Sequence, residues 1–217
     1  MRRRPLIEIC VDSLESAKAA IHAGADRLEV CSALSLGGLT PDLSLIASLK
    51  PSPIPILGML RSRAGDFLYS KDEQDEMLKD LQGLVESGVD GIVTGALVMN
   101  PTTNEIDPDL SFISRVIASC SPIPVTFHKA FDSTTGDLLE TMRSLASAGV
   151  ARVLSSGRAP TALEGLDNLV RMVQIKSPTV VVAGSVRAYN FREILHGTNC
   201  SEIHSRSLEI LCSKSLE

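Results

Sequence analysis

The stretch Ala23-Gly24-Ala25-Asp26-Arg27-Leu28 returns as Ser87-Gly88-Val89-Asp90-Gly91-Ile92 and again as Ala148-Gly149-Val150-Ala151-Arg152-Val153. Each copy runs from a small residue through a glycine into an apolar segment. Glycine suits the left-handed backbone that ends a helix, where a Cβ is disfavoured. The copies lie 64 and 61 residues apart, two strand–helix units each. A repeat at that interval predicts an α/β fold, a (β/α)8 TIM barrel whose alternate strands are built alike.

Working outward, strands are predicted over 6–11, 26–31, 54–60, 89–95, 123–128, 150–155, 179–184 and 200–204. They are short and rich in Val, Ile and Leu, as parallel strands buried on both faces are. Helical patterns lie between them. Asp12-x-x-Glu15 and Ser70-x-x-Glu73 fit the capping box, and Thr40-Pro41 fits an N-cap before a first-turn proline. Neither linker nor low-complexity tract interrupts the alternation, so residues 1–217 read as a single domain. The eighth helix is the weak element. After His204, only Leu208, Ile210, Leu211 and Leu216 offer an apolar face for one or two turns. A short or missing eighth helix is expected, with a neighbouring subunit of a homo-oligomer covering the eighth strand.

Composition narrows the function. Hydrophobic residues make up 44% and charged residues 22%, with 3% aromatics and no Trp. The core must therefore be aliphatic. A net charge of -5 gives no basic face for nucleic acid. No apolar run approaches the roughly 20 residues of a membrane span. Met1-Arg2-Arg3-Arg4 has the charge of a leader, but Glu8 and Asp12 break the apolar run that should follow. Five cysteines, without a C-x-x-C pair, indicate a reducing compartment, the cytoplasm.

Strand parity locates the polar groups. In Ile7-Glu8-Ile9-Cys10-Val11 the apolar residues face the helices, so Glu8 and Cys10 face the barrel axis. In Leu28-Glu29-Val30-Cys31 the same parity turns Glu29 and Cys31 inward. Adjacent strands are about 4.8 Å apart, so two thiolates there can share one soft cation such as Cu(I). Buried cysteine is also a common packing residue. Buried glutamates need cationic or donor partners. Arg61, ending the third strand, and His128, ending the fifth, are the candidates. His204 ends the eighth strand. Ala183-Gly184-Ser185 and His204-Ser205-Arg206 follow the last two strands, where many barrels hold a phosphate, although Gly and Ser are also ordinary turn residues. His22 and His196 read as surface, and Cys120, Cys200 and Cys212 lack an assignable partner.

The run Leu28-Glu29-Val30-Cys31-Ser32-Ala33-Leu34 into Gly37-Gly38-Leu39-Thr40-Pro41 resembles the CutC copper homeostasis family. So do Gly65-Asp66-Phe67-Leu68-Tyr69-Ser70, Asp90-Gly91-Ile92-Val93-Thr94-Gly95-Ala96-Leu97, Thr126-Phe127-His128-Lys129-Ala130-Phe131-Asp132, Val153-Leu154-Ser155-Ser156-Gly157 and Glu202-Ile203-His204. The resemblance covers about residues 6–205. It implies a (β/α)8 barrel, a cytoplasmic protein and a part in copper handling, with Cu(I) ligands matching Cys10 and Cys31. It implies no settled reaction. Ser62, Lys129, Ala183-Gly184-Ser185-Val186 and the residues after His204 depart from the family pattern, which leaves the copper expectation intact and weakens an anion site at strands seven and eight.

Two functions fit these residues. One is non-enzymatic Cu(I) handling by Cys10 and Cys31, within a pocket shaped by Glu8, Glu29, Arg61 and His128. The other is an enzyme acting on a small anionic substrate, phosphorylated or carboxylic, with acid–base groups drawn from Glu8, Glu29, Arg61, His128 and His204. A purely structural barrel ranks last, because buried ionisable clusters are costly without a purpose.

Overall fold

Strand and helix alternate from Leu6 to Cys212 in this computed structural model, which describes residues 4–212. The order is β1 (Leu6–Val11), α1 (Leu14–His22), β2 (Arg27–Val30), α2 (Leu43–Ser48), β3 (Ile56–Met59), α3 (Lys71–Glu86), β4 (Gly91–Thr94), β5 (Leu97–Met99), β6 (Ile106–Pro108) and α4 (Leu110–Cys120). It continues with β7 (Val125–Phe127), α5 (Leu138–Ser147), β8 (Arg152–Ser155), α6 (Leu166–Gln174), β9 (Thr179–Val182), α7 (Phe191–Thr198), β10 (Glu202–Ser205) and α8 (Glu209–Cys212). Eight parallel strands close the barrel in the cyclic order β1-β10-β9-β8-β7-β4-β3-β2. The two remaining strands, β5 and β6, form a hairpin outside it. Two three-residue strands are too short to show a period, so the sequence pattern does not mark this hairpin.

The repeated glycines do what their spacing suggested. Gly24, Gly88 and Gly149 have φ of 88°, 77° and 92° and follow α1, α3 and α5. Gly24 N–H bonds to Ile21 O and Ala25 N–H to Ala20 O, and Gly149 and Val150 repeat that pair on α5. Two residues past each glycine the amide enters the sheet: Asp26 N–H donates to Ile7 O, Asp90 to Ile56 O, Ala151 to Val125 O. The aspartates add a second link that the sequence reading missed. Asp26 Oδ2 accepts from Ile7 N–H and Asp90 Oδ2 from Ile56 N–H, both at 2.8 Å.

Two helix starts differ from expectation. The capping box of α1 is Ser13 with Ser16, not Asp12 with Glu15. Asp42, not Thr40, caps α2, and Thr40 instead bridges to Arg61 backbone. Ser70 and Glu73 form the expected box on α3.

The apolar core lies between strands and helices, where Ile7, Ile9, Val11, Leu28 and Val30 pack, as parity required. The barrel interior holds two smaller apolar groups, one built around Cys10, Cys31, Leu57, Met59 and Val93, the other from Leu154, Val181 and Ala183. An eighth helix is present but short. Ile210 and Leu211 are buried on it, and Ile203 beneath is fully covered within one chain. Leu216 lies outside the described residues. No helix among the described residues is long and apolar enough to cross a membrane.

Candidate functional site

Glu8 is the hub of the barrel interior. Parallel register sets it beside His204 on β10 and Arg27 on β2. Its Oε2 accepts from Arg27 Nε at 2.6 Å, and its Oε1 from His204 Nδ1 at 2.7 Å. Arg27 reaches on to Glu202 at 2.5 Å, and Arg152 approaches the same Glu202 oxygen at 3.4 Å. A chain of charge therefore runs through the barrel from Arg152 up to His204 at the mouth. Burial alone would raise the Glu8 pKa. The hydrogen bond from His204 and the charge of Arg27 outweigh it and hold the carboxyl at about 2. Burial opposes the charged form of His204, but Glu29 and Glu8 outweigh it and raise its pKa.

This corrects the expected pairing. Neither Arg61 nor His128 partners the buried glutamates; Arg27 and His204 do. Arg27 stands at the start of β2, ahead of the apolar residues whose alternation marks the strand's faces. The same count places it inward with Glu29.

Above Glu8 the sulfur groups converge. Cys10 Sγ and Cys31 Sγ stand 3.6 Å apart, both buried. Cys31 also points its thiol at Val11 O, 3.6 Å away. Gly38 closes over this pair, and a Cβ there would lie 3.3 Å from Cys31 Sγ. Cys10, Glu29 and His204 each offer a ligand atom within 4.8 Å of the others. Among the described residues Glu29 Oε2 is buried without a hydrogen bond, 4.0 Å from His204 Nδ1. Burial raises the Glu29 pKa, and the charge of Glu8 adds to the rise. The Cys10 thiol is pushed up by its contact with Cys31, by burial and by Glu29.

A cavity of about 280 Å³ opens over these groups, lined also by Arg61, Phe67 and His128. Phe67 lies between the other two, 4.8 Å from the Arg61 guanidinium and 4.9 Å from the His128 ring. Arg61 donates to the carbonyls of Leu36, Gly38 and Gly65, so it ties the loop after β2 to the loop after β3. His128 Nδ1 accepts from Ala130 N–H at 3.1 Å. Burial, then the nearby charge of Arg61, lower its pKa to about 3, so the ring is neutral at physiological pH. The remaining proton sits on Nε2, which has no hydrogen-bond partner among the described residues. The site thus offers a neutral N–H donor, a carboxyl, an imidazole and two thiols. His22 and His196 are exposed, as expected.

The CutC family matches residues 5–209. The chain belongs to the CutC family. Its sequence is 41% identical over 202 residues to the human protein named copper homeostasis protein cutC homolog, covering 92% of this chain and 72% of that one. It is 38% identical over 201 residues to a CutC family protein of Aliivibrio fischeri, covering 91% and 80%. The solved CutC of Streptococcus agalactiae superposes with a TM-score of 0.86 at 26% identity, covering 94% of this chain and 99% of that one. A deoxyribose phosphate aldolase of Aeropyrum pernix shares the fold alone, with a TM-score of 0.67 at 14% identity.

Proposed function

We propose that this CutC protein takes part in copper homeostasis by binding Cu(I) at the barrel mouth, in the reducing environment of the cytoplasm. The supporting observation is the 3.6 Å approach of Cys10 and Cys31, with Glu29 and His204 beside Cys10. Two sulfurs and an imidazole are the donors that a soft monovalent cation selects. With metal–sulfur bonds of about 2.3 Å, a gap this narrow calls for a bent arrangement, which leaves room for a third ligand. His204, whose ring lies near Cys10, would supply it on this reading. A thiol held protonated must lose its proton to bind metal, so uptake releases protons. Cys10 and Cys31 stand as thiols, the form from which both can become metal ligands.

Anaerobic titration with bound-metal analysis tests this reading. Reduced protein takes up roughly one Cu(I) per chain, and the Cys10→Ser/Cys31→Ser variant takes up none. Unchanged stoichiometry in that variant sinks the proposal.

A second reading, an enzyme on a small anionic substrate, is favoured by one observation: the unpartnered Nε2–H of neutral His128 borders the same cavity as Glu29. Such a donor can polarise a ligand oxygen while a carboxyl moves a proton. Thermal-shift screening against small carboxylic acids discriminates. A His128→Ala variant that keeps Cu(I) but loses a ligand-induced shift favours the enzyme.

A further inference from the structure

The turn after β9 and the end of β10 line a second cavity of about 310 Å³. Its wall includes Lys129, Gly184, Ser185, Val186, Arg187 and Arg206. Lys129, Arg206 and His204 also line the cavity over Cys10 and Glu29, so the two chambers share a wall.

Charge is the first observation. Among the described residues neither Arg187 nor Arg206 makes an ion pair. Arg187 donates to Val186 O at 2.8 Å and Arg206 to Leu34 O at 3.0 Å, which orients the guanidinium groups without neutralising them. Lys129 has Asp132 at 3.6 Å, but the Asp132 carboxylate is already occupied by Ser155, by Ser156 and by the amide of Arg158. On a chain of net charge -5, three cations around one cavity are a local reversal of sign.

The backbone is the second observation. Gly184 and Ser185 have φ of 103° and 54°, so two successive residues are left-handed. For Ser185 that conformation is uncommon. The amides of Gly184, Ser185 and Val186 have no acceptor among the described residues. Successive free amides in a turn form a concavity that attracts anions. Gly184 cannot be replaced here, because a Cβ would lie 2.6 Å from Ser156 Cβ.

We propose that this second cavity binds the phosphate group of a small phosphomonoester, whose organic part lies in the adjoining cavity over Glu29 and His128. The proposal deepens the second reading above and rests on it only for the organic part. A phosphate supplies about two negative charges and three acceptor oxygens, matching cations and amides together, where a carboxylate supplies one charge and two oxygens.

The test uses the full chain with a metal chelator present and inorganic phosphate as the probe. Melting temperature is followed in sodium phosphate against sodium chloride at matched ionic strength, and phosphate binding is read by phosphorus-31 line broadening. Phosphate raises Tm saturably and broadens the resonance. The Arg187→Gln/Arg206→Gln variant binds about tenfold or more weakly, while Arg143→Gln on the outer helices binds as wild type. Absence of saturable binding by wild type, or undiminished affinity in the double variant, overturns the subsite. Should the double variant fail to fold, Arg206→Gln alone decides, since that side chain is exposed. The chelator makes the measurement indifferent to copper. Failure here leaves both the Cu(I) reading and the carboxylic-acid screen standing.

Discussion

His128 shows how one residue is fixed by a neighbour that has no side chain. Gly95, after β4, leaves the space the ring occupies: a Cβ there would fall 2.5 Å from His128 Nδ1 and 3.0 Å from Ala130 Cβ. Gly95→Ala is expected to cost about 1–3 kcal/mol by overpacking and to displace the ring. Urea denaturation measures the cost, and a change below half a kilocalorie would show that the ring moves freely. The His128 charge state gives a pH dependence. Its folded pKa of about 3 lies below the ordinary 6.5, so the unfolded chain binds the proton more readily. Stability from this residue is complete above about 6.5 and is lost as pH falls toward about 3. His128→Phe keeps the packing against Phe67 and should flatten the melting curve's acid slope over that window. An identical slope in wild type and variant would remove His128 as its cause.

At the scale of elements, the interior charges join strands that hydrogen bonding alone would leave equivalent. Arg27 on β2 binds Glu8 on β1 and Glu202 on β10, so one side chain spans three consecutive strands across the closure of the barrel. It is 3% exposed, and Glu8 is 1% exposed. Removing one member of a buried ion pair strands the other, typically at about 3–5 kcal/mol. Arg27→Ala should therefore destabilise by that amount and also loosen His204, which depends on Glu8 for its orientation. Loss of Cu(I) affinity should accompany the loss of stability, although Arg27 lies below the thiols. If chemical denaturation shows less than about 1 kcal/mol, the network is not what holds these strands. The loop joining β2 to α2 has a similar logic. Arg61 fastens it from β3, and Gly38 lets it sit on Cys31.

Closure of the whole barrel depends on how β10 is covered. The tail after His204 was expected to need help from a second copy. In the described residues α8 is a single turn, yet Ile210 and Leu211 complete the layer over Ile203. Ile210→Ala should cost about 2–5 kcal/mol, because the cavity would open directly on the last strand. A calorimetric Tm unchanged from wild type would mean that something else seals this face. Light scattering reports the assembly state independently.

Architecture was legible because it rests on local rules. A left-handed glycine ends a helix wherever it stands, and period-two apolar patterning turns Glu8, Cys10, Glu29 and Cys31 toward the axis without reference to other strands. The capping error at Ser13 arose within the same local reading, where two adjacent polar residues compete for one helix start. Partnership within the site was not legible. Whether Glu8 meets Arg27, Arg61, His128 or His204 depends on register between strands up to 196 positions apart. The second cavity likewise gathers Lys129, the turn at Gly184 and Arg206 from three separate strand ends. Sequence by itself determined which side chains face the barrel axis. Only the tertiary structure decided which of them touch, because parallel strands acquire their neighbours through closure, and closure is a property of all eight together.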